Sequence, residues 1–569
     1  VDLTQRIDPS LLKKSFDIIV IGGGINGTGV ARDAAERGMR VLLLEKSDFA
    51  SGCSAHSTRL IHGGLRYLEH LEFDLVRESL HEREILLKNY PNLVHRLKLM
   101  IPVYEGGKHS KLKLQLGLSA YDFLSGSKTL KKFESHSRKQ MMNMDLGLNK
   151  HSLEGAVSYY DGQASFIERI CLENILTAEE LGAICLNHCE VTEVQCSLIE
   201  DAQSFQEEYS KHKDNPKAKY IVEGVRFRDL MNGGVPYTAT AKHVLNMSGP
   251  AVDLLNSKLR QSENFYPTHP LPQRIKGTKG SHIVVGHFKG APKEFGIYAE
   301  AASDSRPFFI LPFKLGFNKD LYLIGTTDIF LSAEEELKPH EIKISDAEIE
   351  YLLAETNRLF PYAHLHREDV VKTFCGVRPL PYDPKAKSSG AVTRKHFIHD
   401  HSSDDNGVLN YYSILGGKIT TFRSLAKEIV DKFSAVDCIS AIQHTVGCDF
   451  AHLPFEDYLR TKLADYMSHY DVSAHTIMHL ILLYGSRAQD ILEICKINPA
   501  LKEKLHPDYE DIEAQIVYAV RYEKACTLED ILERRLTLGL SLNEVPMNVL
   551  NIISQHLNNE LEINKRRLV

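Results

Sequence analysis

Residues 57 to 70, STRLIHGGLRYLEH, put hydroxyls, two glycines, Arg59, His62, Arg66 and Tyr67 into one run that suits neither an amphipathic helix nor an alternating strand. Donors, cations and an imidazole gathered in this way call for a polar partner opposite them. A second chemical signature lies just upstream, where Gly22, Gly24 and Gly27 form GxGxxG. Glycines there permit a tight turn and close backbone approach, and the helix that follows offers its N-terminus to a pyrophosphate. Glu45, at the end of the next strand, is placed to accept hydrogen bonds from ribose hydroxyls. The pattern predicts dinucleotide binding, and by itself it does not choose between NAD and FAD.

The elements that must position these groups are legible around them. FDIIVIGGGINGTGVARDAAERGMRVLLLEK reads as a strand to Ile21, a glycine turn, a helix from Ile25 stopped at Gly38, and a strand over Val41 to Glu45. HVLNMSGPAV, 243 to 252, reads as a late strand returning to the same nucleotide. In LGGKITTFRSLA, Gly416 and Gly417 open a helix whose start can hold negative charge as it builds on a reduced ring system.

The period is helical from 71 to 90, with Leu71, Leu75, Leu80 and Ile85 to Leu87 on one side. Residues 108 to 142 carry eight Lys or Arg against Asp122 and Glu134, with Leu, Tyr and Phe interleaved. This segment reads either as a contact for an anionic membrane surface or as a solvated helical pair. Residues 262 to 375 are β-rich, and a helix follows Ser345, which has capping-box spacing to Glu348. After about 435 nearly all segments are helical, and 205 to 218 looks like a surface insertion.

The chain of 569 residues is 43% hydrophobic and 25% charged, as expected for a globular protein of several domains. A net charge of −7 argues against nucleic acid as the main partner. Ten cysteines without paired CxxC spacing or companion histidines indicate reduced thiols in a cytoplasmic setting and no metal centre. No apolar run approaches the ~20 residues that span a bilayer, so no transmembrane anchor is expected.

Six motifs in order, IGGGINGTGVARDAAERG, LIHGGLRYLEH, KGSHIVV, IGTTD, CGVRPL followed by VTRKH, and GGKITTFRSLA, closely resemble the FAD-dependent glycerol-3-phosphate dehydrogenases and their oxidase relatives. NMSGPA stands where that family has an NATGPW type, and 199 to 228 is longer than in simple bacterial members. The resemblance implies an α/β FAD-binding Rossmann-like domain of the glycine-oxidase type, a β-rich substrate-binding domain over the flavin and an all-α C-terminal domain. The corresponding bounds are 1–261 and 376–434 for the FAD-binding domain, with a helical and basic segment at 70–150, 262–375 for the substrate domain and 435–569 for the C-terminal domain.

It also implies oxidation of sn-glycerol 3-phosphate to dihydroxyacetone phosphate, with electrons leaving to a quinone at the inner face of a membrane, and a homodimer, since family members are often dimeric. FAD would be held by Gly22, Gly23, Gly24, Asn26, Gly27, Glu45, Lys46, Ser54, Ser57, Thr58, Leu60, His62, Gly249, Gly416, Gly417, Lys418 and Thr420. Arg66, Tyr67, Arg378, Arg394 and Lys418 would face the substrate, with Arg378 and Arg394 matching the family's phosphate-handling arginines. Planar guanidinium groups suit bidentate contact with a phosphate near −2. Arg378 and Lys418 are expected in the catalytic group beside His282. Oxidation of the C2 alcohol needs a base for the hydroxyl proton, and a neutral imidazole suits that task. His282 is the first candidate, with His62 the alternative. The rivals are an oxidase that passes electrons to O2, an amine or amino-acid oxidase of the same fold, and a non-enzymatic nucleotide-binding protein.

Overall fold

A computed structural model describes residues 6–69, 71–126, 129–199, 217–261, 272–314, 320–386 and 388–567. All but the last two residues of the insertion expected at 205 to 218 lie outside this set.

The glycine signature sits at the heart of a parallel sheet. Phe16–Ile21 pairs in parallel with Val41–Leu44 on one side and with the second half of Val235–Asn246 on the other. Ile184–Leu186 and Tyr411–Leu415 extend the parallel set, and Phe397–Asp400 closes one edge antiparallel. Both faces are buried, which explains why these strands read as continuous apolar runs. Ile18 and Val20 pack under Val30, Ala34, Leu172, Ile175, Leu425 and Ile429 of the helices Ile25–Glu36, Ile167–Glu180 and Phe422–Val430. Phe16, Ile19 and Ile21 face an antiparallel meander made by Cys189–Leu198, Ala218–Asp229 and the first half of Val235–Asn246.

The second sheet has ten strands in the described residues. Its spine, Ile275–Val285, pairs antiparallel with Val370–Pro381 along its whole length and with Tyr322–Gly325. The sheet is not confined to 262–375. Leu60–Ile61, His95–Tyr104, Glu134–Ser137 and Leu153–Gln163 also belong to it, and Val370–Pro381 runs across the 375/376 division. Within 70–150, read as helical and basic, His95–Tyr104 is a strand paired antiparallel with Leu153–Gln163, a partner distant in sequence that leaves no local signal. The basic segment is likewise not a helical pair. It forms the helix Lys111–Ser125, capped by Ser110, then the strand Glu134–Ser137 and the short helix Arg138–Asn143. The capping box of Ser345 and Glu348 forms as its spacing predicts.

The C-terminal helices include Phe455–His469, Ala474–Tyr484, Ala488–Ile497, Glu513–Tyr522 and Met547–Arg567. Ile477, Leu480, Tyr484, Leu492 and Val517 share one core with Tyr90, Leu93, Ile167 and Ile170, so this domain is packed on the helices behind the parallel sheet.

Candidate active site: a flavin cleft and an arginine-lined cavity

The glycine turn is enforced by close backbone approach. Gly22 has φ +116°, and a Cβ there would lie 2.4 Å from the Met247 carbonyl oxygen; one at Gly27 would lie 1.9 Å from the Gly22 oxygen. Gly24, at the N-cap of the helix that follows, has no side chain to cap it, and of the first N–H groups that of Ile25 donates to Ser54 Oγ at 2.9 Å. Glu45 accepts from the Gly23 N–H at 2.7 Å and the Ser47 N–H at 2.8 Å. It thus braces the turn itself, leaving its remaining lone pairs for a ribose. Burial pushes the Glu45 carboxyl up.

The run that opened the sequence reading is held by an ion pair the sequence did not disclose. Arg59 is fully buried with φ +59°, a conformation costly for a side chain larger than glycine. Its guanidinium makes two 2.7 Å bonds to Glu168 and reaches the carbonyls of Ala55 and Ser165 at 2.8 and 2.9 Å. This anchoring turns Ser57, Thr58, Leu60 and His62 toward a cleft that is also lined by Cys53, His56, Gly280, Gly376, Gly416, Gly417, Lys418 and Thr420. Thr420 Oγ1 accepts the His62 N–H at 3.0 Å. Gly416 and Gly417 take φ +73° and +103°, and a Cβ on Gly417 would meet Asn26 Nδ2 at 2.8 Å.

A second cavity of about 450 Å³ shares Thr58, Leu60, His62, Tyr67, Arg378 and Arg394 with the cleft. Its walls carry Arg66, Arg306, Arg378 and Arg394 against the carboxylates of Asp328 and Glu72. Asp328 lies 3.1 Å from Arg378 and 3.0 Å from Arg394. Burial works to raise its carboxyl, but the two guanidinium groups outweigh burial and hold it below its usual value. Arg378 lies flat over Gly280, where a Cβ would come within 2.2 Å of Nη2, and is further engaged by Thr326 Oγ1 at 3.0 Å. Arg394 Nη1 is buried without a hydrogen-bond partner. A buried donor left unpaired carries a desolvation penalty, so Arg394 rather than Arg378 presents the readier donor for an anion.

Lys418 lines the cleft but not the arginine cavity. Its Nζ donates to Ser79 Oγ at 2.7 Å and sits 4.4 Å from the Tyr67 ring centroid. Burial brings its ammonium down to about 7. His282 is 1% exposed and lines neither cavity; its Nε2 lies 2.9 Å from Thr58 Oγ1, and its Nδ1 has no partner. It therefore stands one hydroxyl behind the wall. His62 lines both spaces. Burial lowers each imidazole to about 3, helped by Arg378 and Arg59 at His282 and by Lys418 and Arg83 at His62, so both are neutral near pH 7.

Most residues singled out in the sequence thus converge. Gly22, Gly23, Gly24, Gly27, Glu45 and Ser54 meet at the glycine turn and are not in the walls of either cavity, His282 and Gly249 line neither cavity, and Lys46 is exposed. Thr326 and Asp328, although within IGTTD, and Arg306 and Glu168 were not singled out, and Arg59 was noted only as a member of its polar run, with no role given to it. The cleft fits an FAD. The open helix N-terminus suits a pyrophosphate, the glycines leave room at the turn and at Gly417, and the buried, unpartnered Asn26 Oδ1 calls for a donor.

Residues 17–430 match the family described as FAD dependent oxidoreductase, and 444–568 match the C-terminal domain of alpha-glycerophosphate oxidase. The chain is 42% identical over 561 residues to a glycerol-3-phosphate dehydrogenase of Synechocystis sp., covering 97% of this chain and 94% of that one. It is 31% identical over 553 residues to an aerobic glycerol-3-phosphate dehydrogenase of Staphylococcus haemolyticus, covering 95% and 90%. In fold it is similar to the solved glycerol-3-phosphate dehydrogenase from Bacillus halodurans complexed with FAD, with a TM-score of 0.70, 24% identity and coverage of 98% and 95%. The chain belongs to the FAD-dependent glycerol-3-phosphate dehydrogenase family.

Proposed function

We propose that this protein oxidises sn-glycerol 3-phosphate to dihydroxyacetone phosphate and passes the electrons to a membrane quinone, working at the cytoplasmic face of a membrane. The observation that carries the reading is the arginine cavity sharing a wall with the flavin cleft. With Arg306 already beside Asp304, the guanidinium groups of Arg66, Arg378 and Arg394 stand against the carboxylates of Asp328 and Glu72 and leave a positive surplus for a phosphate near −2. An amino-acid substrate would need only one cation for its carboxylate.

FAD, when bound, supplies the acceptor for a hydride from C2 of the alcohol. The chain's own residues do the rest. Arg394, with Arg66 and Arg378, holds the phosphate, and Asp328 keeps the guanidinium groups aligned. Thr58 and Tyr67 in the shared wall set the reach from that anchor to the flavin. The hydroxyl proton moves either to His62 directly or to His282 Nε2 through Thr58 Oγ1, whose own proton passes on as it receives one. Lys418, on the flavin side, would supply positive charge beside the bound cofactor.

Relatives named dehydrogenase support an acceptor other than oxygen, and among the described residues no helix is long and apolar enough to cross a membrane. The match of 444–568 to an oxidase domain favours O2 as the second reading. Reoxidation of substrate-reduced protein by a soluble quinone analogue and by air separates them. The proposal expects fast reoxidation by quinone with little peroxide; stoichiometric peroxide with no quinone reduction would overturn it.

A further inference from the structure

Glu348 does more than cap a helix. As the third residue of the helix Asp346–Leu359 it closes the capping box, its Oε2 accepting from the Ser345 N–H at 3.0 Å and from Ser345 Oγ at 2.9 Å. A cap needs no more than that. Here the same oxygen also takes Lys279 Nζ at 3.0 Å, and the other oxygen, Oε1, accepts from Thr327 Oγ1 at 2.7 Å and Ser281 Oγ at 2.8 Å. Glu348, Ser281 and Thr327 are all buried. Burial works to raise the carboxyl, but the donors of Ser345, Thr327, Lys279 and Ser281 outweigh it and hold it down to about 2, so the group is ionised and accepts at every contact.

The side chains it grips belong to two segments whose opposite sides build the site. Along the strand Ile275–Val285 successive side chains alternate in face, so Lys279 and Ser281 point one way while Gly280 and His282 point the other. Gly280 is the residue over which Arg378 lies, and His282 reaches Thr58. Thr327 likewise stands behind the wall, between Thr326 and Asp328, which both line the arginine cavity. Its carbonyl accepts from Arg378 Nη1 at 3.4 Å, and its Oγ1 accepts the Ser281 N–H at 2.9 Å while giving its one proton to Glu348.

We propose that Glu348 is a positioning residue for the anion site, holding Thr327 so that Thr326 and Asp328 present Arg378 and Arg394 to the phosphate. An amide cannot replace it. Glutamine would turn its NH2 either toward Lys279 and the Ser345 N–H, which are donors themselves, or toward a Thr327 hydroxyl that would then accept twice and lose the place for its own proton. The inference rests on the reading of glycerol 3-phosphate as substrate and adds to it the group behind the wall that aligns the arginines.

The test is anaerobic stopped-flow reduction of FAD-loaded protein by glycerol 3-phosphate, with substrate Kd and limiting reduction rate read separately. Thr327→Val and Glu348→Gln are each expected to raise Kd about tenfold, and Thr327→Val to keep the limiting rate within about threefold of wild type. Thr327→Ser, which retains the hydroxyl, is expected to keep Kd within about twofold. Ser345→Ala removes the hydroxyl of the cap but leaves Oε1 on Thr327, so it is expected to lower the melting temperature and to leave Kd within about twofold. A Kd for Thr327→Val within about twofold of wild type, or one for Ser345→Ala as high as for Glu348→Gln, overturns the inference while the substrate stands. Wild type that glycerol 3-phosphate does not reduce overturns both.

Discussion

Replacing Arg394 by Gln probes the anion site where the structure is most specific. The unpartnered Nη1 is a charged donor waiting for an acceptor, and a hydrogen bond to a charged group contributes about 1.5–3 kcal/mol. Removing the guanidinium also takes away one of the two cations flanking Asp328, so a less balanced carboxylate is left facing the phosphate. The two effects have the same sign and together amount to about 3–4 kcal/mol, or a fall of about 100- to 1,000-fold in kcat/KM for glycerol 3-phosphate. Stopped-flow flavin reduction under anaerobic conditions gives substrate Kd and reduction rate separately, and most of the loss is expected in Kd, with FAD content retained. Adding Asp328→Asn to Arg394→Gln removes the surplus negative charge and is expected to recover part of the affinity. Arg306→Ala is the control. This side chain is already 3.4 Å from Asp304, so its loss should change Kd by no more than about threefold. A Kd for Arg394→Gln within about threefold of wild type, or a double variant weaker than the single, would refute the reasoning.

Three further outcomes follow from the neutral imidazoles and the depressed lysine. Thr58→Val, which cuts the path to His282 Nε2, should slow flavin reduction about 100-fold with substrate Kd little changed if His282 is the base; an unchanged rate would transfer the role to His62. Because His282 titrates at about 3 when folded, the unfolded chain binds the extra proton first as pH falls from its ordinary value near 6.5. Its contribution to stability is therefore complete above about 6.5 and is lost toward 3, and His282→Asn should flatten acid unfolding across that window, as read by circular dichroism. Lys418 loses its proton near 7, so the positive charge offered to a reduced flavin should fade as pH rises through that value. The flavin midpoint potential of wild type should drop more steeply there than that of Lys418→Met; parallel slopes would count against the assignment.

The sequence made the parallel sheet legible because its strands are buried on both faces and its turn needs glycine at Gly22 and Gly27. Ser345 and Glu348 disclosed a helix start for the same reason, since a capping box is a local contact. Pairings between distant segments were not legible. His95–Tyr104 lies between Leu153–Gln163 and Phe295–Glu300, and nothing within its ten residues reveals either neighbour. Arg59 and Glu168 are 109 positions apart, so the pair that fixes the flavin loop shows as two ordinary charges. At the site, the arginines were found through their motifs. Their counter-ion Asp328 was overlooked inside IGTTD because an acid offers no clue to an anion site until its place between two guanidinium groups is seen. His282 was recognised, but its place behind Thr58 is a matter of strand register, set by His282 pairing with Phe374 and Gly325.

The central claim is that a phosphate held by guanidinium groups brings a carbinol carbon to the flavin. Anaerobic mixing of the FAD-loaded protein with glycerol 3-phosphate, and separately with glycerol at the same concentration, tests it directly. The account predicts rapid bleaching of the flavin by the phosphate ester and none by glycerol. Equal bleaching by both, or none by either, would contradict it.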